Sequence, residues 1–441
     1  MNDVGEKEVK HTVVQVVENE LCCGCGTCVG VCPTEAISLN ISEGLFLPSV
    51  DDRLCIECQL CFRVCPGHSV DFQVLCSSIF EDQPYNPMIG SYLSCYVGHS
   101  CDDQIRYAST SGGIATQLLI FALENGIIDG AIVTRMREEN PLEPESFIAR
   151  TREEIIDASR SKYCPVAANV VLKDILKEEG RFAIVGLPCH IHGVLKAEGL
   201  LNALRNRIVL HIGLLCSHMV NFNGTDFLID KLNVDRSNVK GLSYRGSGWP
   251  GGLMIKLVKG PDVGLPLFGS WNSYWPVFSS FFFTPKRCMM CPDQSAELAD
   301  ISLGDAWLPE LSYERKGKSI IVTRTRRGEE LLSLAKENKV LEIKSVKVEK
   351  VLESQAINLR IKKDDLPSRL FLYGLFGKNR PRYKPDPEYH NRPSVVAVLR
   401  ACFIYLNIWA SSNRIIVGIL KKVPFPLFRF YYGLYKYFSL I

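Results

Sequence analysis

Between residues 114 and 133 the apolar positions change period. Ile114, Leu118, Leu119 and Ala122 share one helix face, and residues 127–133 then form a continuous apolar run of strand length. Ser111 stands at the N-cap position of that helix, ahead of Gly112 and Gly113, and Gly126 is placed to end it. The same alternation predicts a helix over 166–177, a strand over 182–185, a helix after His192 and an apolar strand over 207–215. Strands alternating with helices predict an α/β domain over residues 90–363, built on a mainly parallel sheet. The ligand sites of such sheets lie beyond the carboxyl ends of the strands.

Neither end of the chain follows this grammar. Residues 13–85 carry about half of the 18 cysteines and little aliphatic core, and two prolines within 82–87 mark their boundary. Residues 364–441 form a linker and tail. Four prolines within 379–393 predict an extended segment, and residues 395–441 interleave apolar and aromatic side chains with Arg400, Arg414, Lys421, Lys422, Arg429 and Lys436. The longest apolar stretch there, 395–410, is short for a bilayer and contains Arg400. A basic, aromatic helical tail suits peripheral contact with a membrane surface or a partner, and equally suits packing on the α/β domain.

Composition narrows the classes. A net charge of +3 over 441 residues, with no Lys/Arg block, gives no basis for nucleic-acid binding. Eighteen cysteines mean either disulfides or metal ligands. Residues 1–10 contain acidic side chains and no apolar segment, so no secretory signal is expected and a reducing cytoplasm follows. Oxygen-sensitive clusters would further suggest an anaerobe.

The cysteine spacing supplies the chemistry. Cys22, Cys25, Cys28 and Cys32 precede Pro33, and Cys55, Cys58, Cys61 and Cys65 precede Pro66. Each is a complete CxxCxxCxxxCP run, the pattern of a two-cluster [4Fe-4S] ferredoxin module. Three thiolates two residues apart wrap one cubane, while the fourth reaches the neighbouring cluster. The expected sets are therefore Cys22, Cys25, Cys28 and Cys65, and Cys55, Cys58, Cys61 and Cys32. A zinc site gives no reason for a third CxxC step. Cys23 breaks the spacing and reads as a bystander. The N-terminal module is thus expected to be an α+β, ferredoxin-like unit.

Further along, Cys189 and Cys216 follow predicted strands, and Cys288 with Cys291 forms a CxxC. Four thiols from three loops are consistent with a third [4Fe-4S] cluster, with zinc, or with buried small hydrophobes.

Several of these motifs together resemble the family of coenzyme F420 hydrogenase/dehydrogenase beta subunits. They are Thr110-Ser111-Gly112-Gly113, residues 123–133, Ser161-Lys162-Tyr163, Gly186-Leu187-Pro188-Cys189, residues 245–251 and residues 287–307. The similarity covers about residues 90–360, and a two-cluster ferredoxin module is a common attachment in that family. The resemblance implies an α/β flavin domain holding FAD, a deazaflavin hydride carrier (coenzyme F420) as substrate, and a third cluster on Cys189, Cys216, Cys288 and Cys291. Two positions depart from the family pattern: His190 replaces a usual Gln, and Cys164 an apolar residue.

Within that implied flavin domain, Ser111, Gly112 and Gly113 at a helix start offer backbone N–H groups to a phosphate, although a plain N-cap reads the same way. Lys162 and Arg245 are candidate anion partners, with solvated charge as the alternative. Trp249 is a candidate stacking wall in the Gly246–Gly251 stretch, or a buried structural Trp. Its Trp-Pro interior argues against a Rossmann phosphate loop. Asp305 and Glu297 are candidates for supporting the CxxC segment. No single catalytic residue emerges.

The expected function is an iron-sulfur flavoprotein oxidoreductase that moves electrons between coenzyme F420 and ferredoxin or a redox partner subunit. A hydride carrier delivers electrons in pairs and a cubane takes one, so a flavin is the natural intermediary. One alternative is a ferredoxin-dependent flavin reductase of a lipid- or glycan-related substrate. Another is a non-catalytic electron-relay subunit.

Overall fold

The computed structural model describes residues 11–386 and 394–438. Residues 1–10, where no signal is expected, residues 387–393 of the linker and the last three residues lie outside the described residues. Eight strands form the main sheet: β1 (Ser94–Ser100), β2 (Gly130–Met136), β3 (Pro144–Ala149), β4 (Phe182–Gly186), β5 (Ile208–Leu214), β6 (Ile301–Asp305), β7 (Ser319–Thr323) and β8 (Leu341–Ser345). Their order is β8-β1-β7-β6-β5-β4-β2-β3.

The four central strands β2, β4, β5 and β6 are mutually parallel. The two edges are antiparallel, so the sheet is mixed. The connections explain the difference: loops without an α-helix join β2 to β3 and β6 to β7, whereas the central strands are joined by crossovers that contain helices. β1 reverses direction twice relative to β6 and so runs with it. The carboxyl ends of five strands therefore share one edge, where α/β sheets present their sites.

Helix α1 (Ile114–Glu124) begins at Gly113 (φ +76°), and no side chain caps it. Ser111 is not the N-cap. Its hydroxyl turns away to donate to the Lys318 carbonyl at 2.9 Å. Helix α2 (Pro188–Glu198) starts earlier than the sequence suggests because Pro188 suits a first helical position. Residues 166–177 are not one helix. They form the 3-10 turn Ala168–Val171 and the single turn Leu172–Ile175, because the Asn169 backbone N–H is drawn to the Cys25 carbonyl at 3.0 Å.

On β5, His211 lies buried between Glu198 (2.8 Å) and Asp300 (3.1 Å). Burial opposes its charge, but the two carboxylates outweigh burial and raise the imidazole to about 10. A raised folded-state pKa contributes stability in full below the unfolded value of about 6.5, and that contribution is lost as pH rises through the folded value. Unfolding free energy of the native protein is therefore expected to fall between about pH 7 and 10, on the order of 1 kcal/mol per pH unit. Urea melts across that range should show the slope, and His211→Gln should flatten it.

Helix α3 (Val348–Lys362) and the helix Leu366–Leu375 follow the sheet. The proline-rich linker then contributes Arg382–Lys384, which pairs in parallel with Ser69–Asp71 of the N-terminal module. The tail forms three helices, α4 (Val395–Ser412), α5 (Arg414–Lys422) and α6 (Phe425–Phe438).

Candidate redox site

Each CxxCxxC run curls around its own sulfurs. The residues flanking the second cysteine, Gly24 and Gly26 in one run and Glu57 and Gln59 in the other, all have positive φ: +67° and +81°, against +55° and +59°. Holding non-glycine residues there costs about 1–3 kcal/mol each, so the second loop keeps a wrap that its own composition opposes. One helical turn carries the third cysteine of each run, Thr27–Gly30 with Cys28 and Leu60–Arg63 with Cys61.

Cys22, Cys25, Cys28 and Cys65, with Cys23 beside them, border one cavity. Cys32, Cys55, Cys58 and Cys61 border another. The fourth cysteine of each run thus lies with the other run's first three. Burial and the neighbouring Cys65 push the Cys22 thiol up to about 12, and burial with Cys25 and Cys65 raises Cys28 as well. Thiolates gathered in this way repel one another unless cations lie among them. All 18 cysteines are free thiols. Among the described residues no three His, Cys, Asp or Glu side chains converge as a single-ion site. Four sulfurs around a cavity fit a polynuclear cluster better than one zinc ion.

A third group of thiols gathers at the carboxyl edge of the sheet. Cys189 lies in the first turn of α2, Cys216 lies just past β5, and Cys288 and Cys291 come from the 3-10 segment Lys286–Met290 and the residue after it. Burial raises Cys216 to about 12, with Lys362 opposing and Cys288 and Cys291 adding to it. Cys189 is lowered by its hydrogen bond with Cys23, but burial and the Cys25, Cys216 and Cys288 thiols raise it overall.

Cys23 lies near enough to both Cys189 and Cys25 to influence them, between the first and third sets. Cys61 in turn is near enough to raise Cys28, so the three sets adjoin one another in a row.

Cationic side chains of the α/β domain and of the helix after it grip these loops. Lys196 Nζ donates to the Cys65 carbonyl at 2.9 Å, and Arg287 donates to Pro66 O (2.8 Å) and Gly67 O (3.1 Å). Lys362 donates to Cys288 O at 2.9 Å and Arg369 to Met289 O at 2.7 Å. Their charges offset the sulfurs' negative charge without ligating anything. Apart from Arg287, which directly precedes Cys288, nothing local in the sequence marks them. At the same junction an added Cβ on Gly30 would lie 2.1 Å from the Asn169 carbonyl, so only glycine lets the module approach this closely.

Beside this edge the residues expected to meet a cofactor are largely turned inward. All five Arg245 donors are taken: by Asp305 (2.8 and 3.0 Å), Thr110 O, Tyr163 Oη and Pro250 O. It orders the loop and cannot serve as an anion partner. Lys162 donates all three protons to the carbonyls of Ala158, Ser159 and Arg160, and burial lowers it to about 7. Its expected anion-binding role gives way to holding the end of a helix.

Trp249 Nε1 donates to Asp305 at 2.8 Å, and its ring packs 4.6 Å from Trp307. Phe268, Trp275 and Tyr163 extend this aromatic wall. The loop 244–251 is a hairpin connection between Val239–Ser243 and Gly252–Leu257. Gly112 cannot carry a side chain, since a Cβ would lie 2.5 Å from Gly98 O. No side chain caps the first-turn N–H groups of α1. Asp305 serves the aromatic wall and not the CxxC. Glu297 pairs with Lys363, and it is Asp293 whose carbonyl lies 3.6 Å from the Cys291 sulfur.

Comparison with known proteins supports the two N-terminal clusters and identifies the family. Residues 6–70 match the 4Fe-4S dicluster domain. Residues 95–173 and 179–349, together more than half of the chain, match the N-terminal and C-terminal models of the coenzyme F420 hydrogenase/dehydrogenase beta subunit. The chain belongs to the family of coenzyme F420 hydrogenase/dehydrogenase beta subunits. It is accordingly an oxidoreductase, with a 4Fe-4S dicluster domain at its N-terminal end.

Among relatives of this family, the beta subunit of the coenzyme F420 hydrogenase of Methanothermobacter thermautotrophicus is 29% identical over 271 residues, which cover 59% of this chain and 86% of that protein. A component of the F420H2 dehydrogenase of Methanosarcina mazei is 24% identical over 335 residues, covering 74% of this chain and 85% of that protein. A chain of the F420-reducing [NiFe] hydrogenase complex from Methanosarcina barkeri shares the fold, with a TM-score of 0.53 at 24% identity over 69% of this chain and 99% of that one.

The two departures from the family pattern have structural roles. His190 accepts from the Leu187 N–H at Nδ1 (3.1 Å) and donates from Nε2 to Val166 O (2.9 Å), and burial lowers it to about 4. It is a neutral clip. Cys164 lies against Tyr244 and Lys162, away from the thiol groups.

Proposed function

We propose that this chain exchanges electrons between coenzyme F420 and a ferredoxin or partner redox subunit, using FAD and three [4Fe-4S] clusters. The observation that carries the reading is the row of three adjoining four-thiol sets, with the aromatic wall held by Asp305 at the same carboxyl edge of the sheet, in a chain of the F420 hydrogenase/dehydrogenase family. When bound, FAD takes electrons as a hydride and passes them singly, and cubane clusters carry one at a time.

Cys32, Cys55, Cys58 and Cys61 would hold the outermost cluster, where Cys58 is exposed to a partner. Cys22, Cys25, Cys28 and Cys65 would hold the middle one. The set Cys189, Cys216, Cys288 and Cys291 would hold the innermost, with Lys362, Arg369 and Arg287 neutralising its thiolates. For FAD, the uncapped first turn of α1 suits a pyrophosphate, and Trp249 with Trp307 offers a flat face. Arg245 and Asp305 hold that face in place and bring no group to the substrate.

The test is rapid mixing of anaerobically prepared protein with reduced coenzyme F420. Cluster absorption should bleach, and added ferredoxin should be reduced. No bleaching, with turnover from ferredoxin to another acceptor, would overturn the F420 assignment and favour a ferredoxin-fed reductase.

A further inference from the structure

The C-terminal helices present two apolar faces where one would serve folding. On α4, Ala397, Ala401, Ile404, Ile408 and Ser411 recur at four- and three-residue steps and are buried. Val395, Leu399, Cys402, Leu406 and Trp409 recur at the same steps on the opposite side and are exposed, Leu399 by 65% and Trp409 by 58%. α5 adds Ile415, exposed by 79%, and Ile419. α6 adds Leu427, Leu434 and Phe430, the last exposed by 64%. Apolar surface on this scale marks an interaction face.

Charge identifies what meets it. Residues 394–438 contain no Asp or Glu and six Lys or Arg, of which Arg414, Lys422 and Lys436 are exposed. Protein interfaces are depleted of lysine at their centres. An apolar face edged by flexible cations and by Trp and Phe instead suits the headgroup boundary of a bilayer, where lysine and arginine stems lie along apolar surface and their charges reach phosphate. Exposed Trp271, with Arg429 stacked 4.8 Å over its ring, enlarges the surface with the same pairing.

The contacts of α4 with the body favour lying on such a surface over crossing it. Helix α4 has the length and a mean hydropathy of 1.6 that would allow a span. However, Arg400 is paired to Asp365 (2.7 Å), Asn407 Nδ2 donates to Ser280 O (2.8 Å), and Ser411 Oγ accepts from the Phe283 N–H (2.8 Å). These bonds fix the inner face to the body. We propose that the outer face of α4, α5 and α6 docks the protein peripherally on an anionic lipid bilayer.

Flotation of the intact, cluster-loaded protein with vesicles tests this. It should float with phosphatidylglycerol-rich vesicles and about tenfold less with pure phosphatidylcholine, and high salt should release it. The outward triple variant Leu399→Ser/Leu406→Ser/Trp409→Ser and the charge variant Arg414→Glu/Lys422→Glu should each cut binding about tenfold or more. Both should retain iron content and melting temperature, since neither touches the inner face. Absence of binding to any vesicle, binding that survives both variants, or resistance to alkaline extraction would overturn the proposal. So would an unbound protein whose dimer the triple variant splits, which would assign the face to a second copy of this chain.

Discussion

Cys65→Ala is expected to alter the same cluster signature as Cys22→Ala, and Cys32→Ala the same signature as Cys58→Ala, although sequence proximity would pair them the other way. The prediction follows from the two cavities. Cys65 borders the one lined by Cys22, Cys25 and Cys28, and Cys32 borders the one lined by Cys55, Cys58 and Cys61. A cubane missing one thiolate loses iron or rearranges, so each variant should lose between one and about four iron atoms. Electron paramagnetic resonance of the reduced, anaerobic variants separates the two clusters. If Cys65→Ala instead mimicked Cys58→Ala, each run would hold its own cluster, and crossed ligation would be wrong.

Asp305→Ala is expected to cost about 3–5 kcal/mol of stability. Arg245 is buried with all five donors engaged, two of them on this carboxylate, and Trp249 Nε1 also depends on it. Removing the acid strands a guanidinium among Thr110, Tyr163 and Pro250 and releases the Trp249–Trp307 wall. The double variant Arg245→Met/Asp305→Leu should lose much less than the sum of the single changes, because no unpaired charge remains. Urea denaturation followed by circular dichroism provides the measurement. A loss under about 1 kcal/mol, as for an exposed pair, would contradict it.

Chemistry was more legible in the chain than architecture, for a physical reason. Cluster loops are local: the CxxCxxC spacing and the terminal proline are set by the reach of neighbouring thiolates, so they stand in the sequence complete. The alternation of helices and strands likewise exposed three strands of the parallel centre, β2, β4 and β5, but not β6. What the sequence concealed depends on distant partners. Arg245 and Lys162 looked free for an anion because charge says nothing about which carbonyls fold back onto it. The helix expected over 166–177 yielded to Asn169, whose backbone and side chain bond Cys25 and Thr27 more than 140 residues away. Cys23 looked idle because its neighbour Cys189 comes from a distant segment. The prolines marked the linker as extended, but the pairing of Arg382–Lys384 was hidden because its partner lies at Ser69–Asp71.

The most direct test of the redox account is the cofactor content of the intact protein isolated under argon. Three adjoining thiol sets and an open helix start at the carboxyl edge predict about twelve iron, about twelve sulfide and about one FAD per chain. About eight iron and no flavin would leave two clusters with nothing to receive a hydride, and would contradict it.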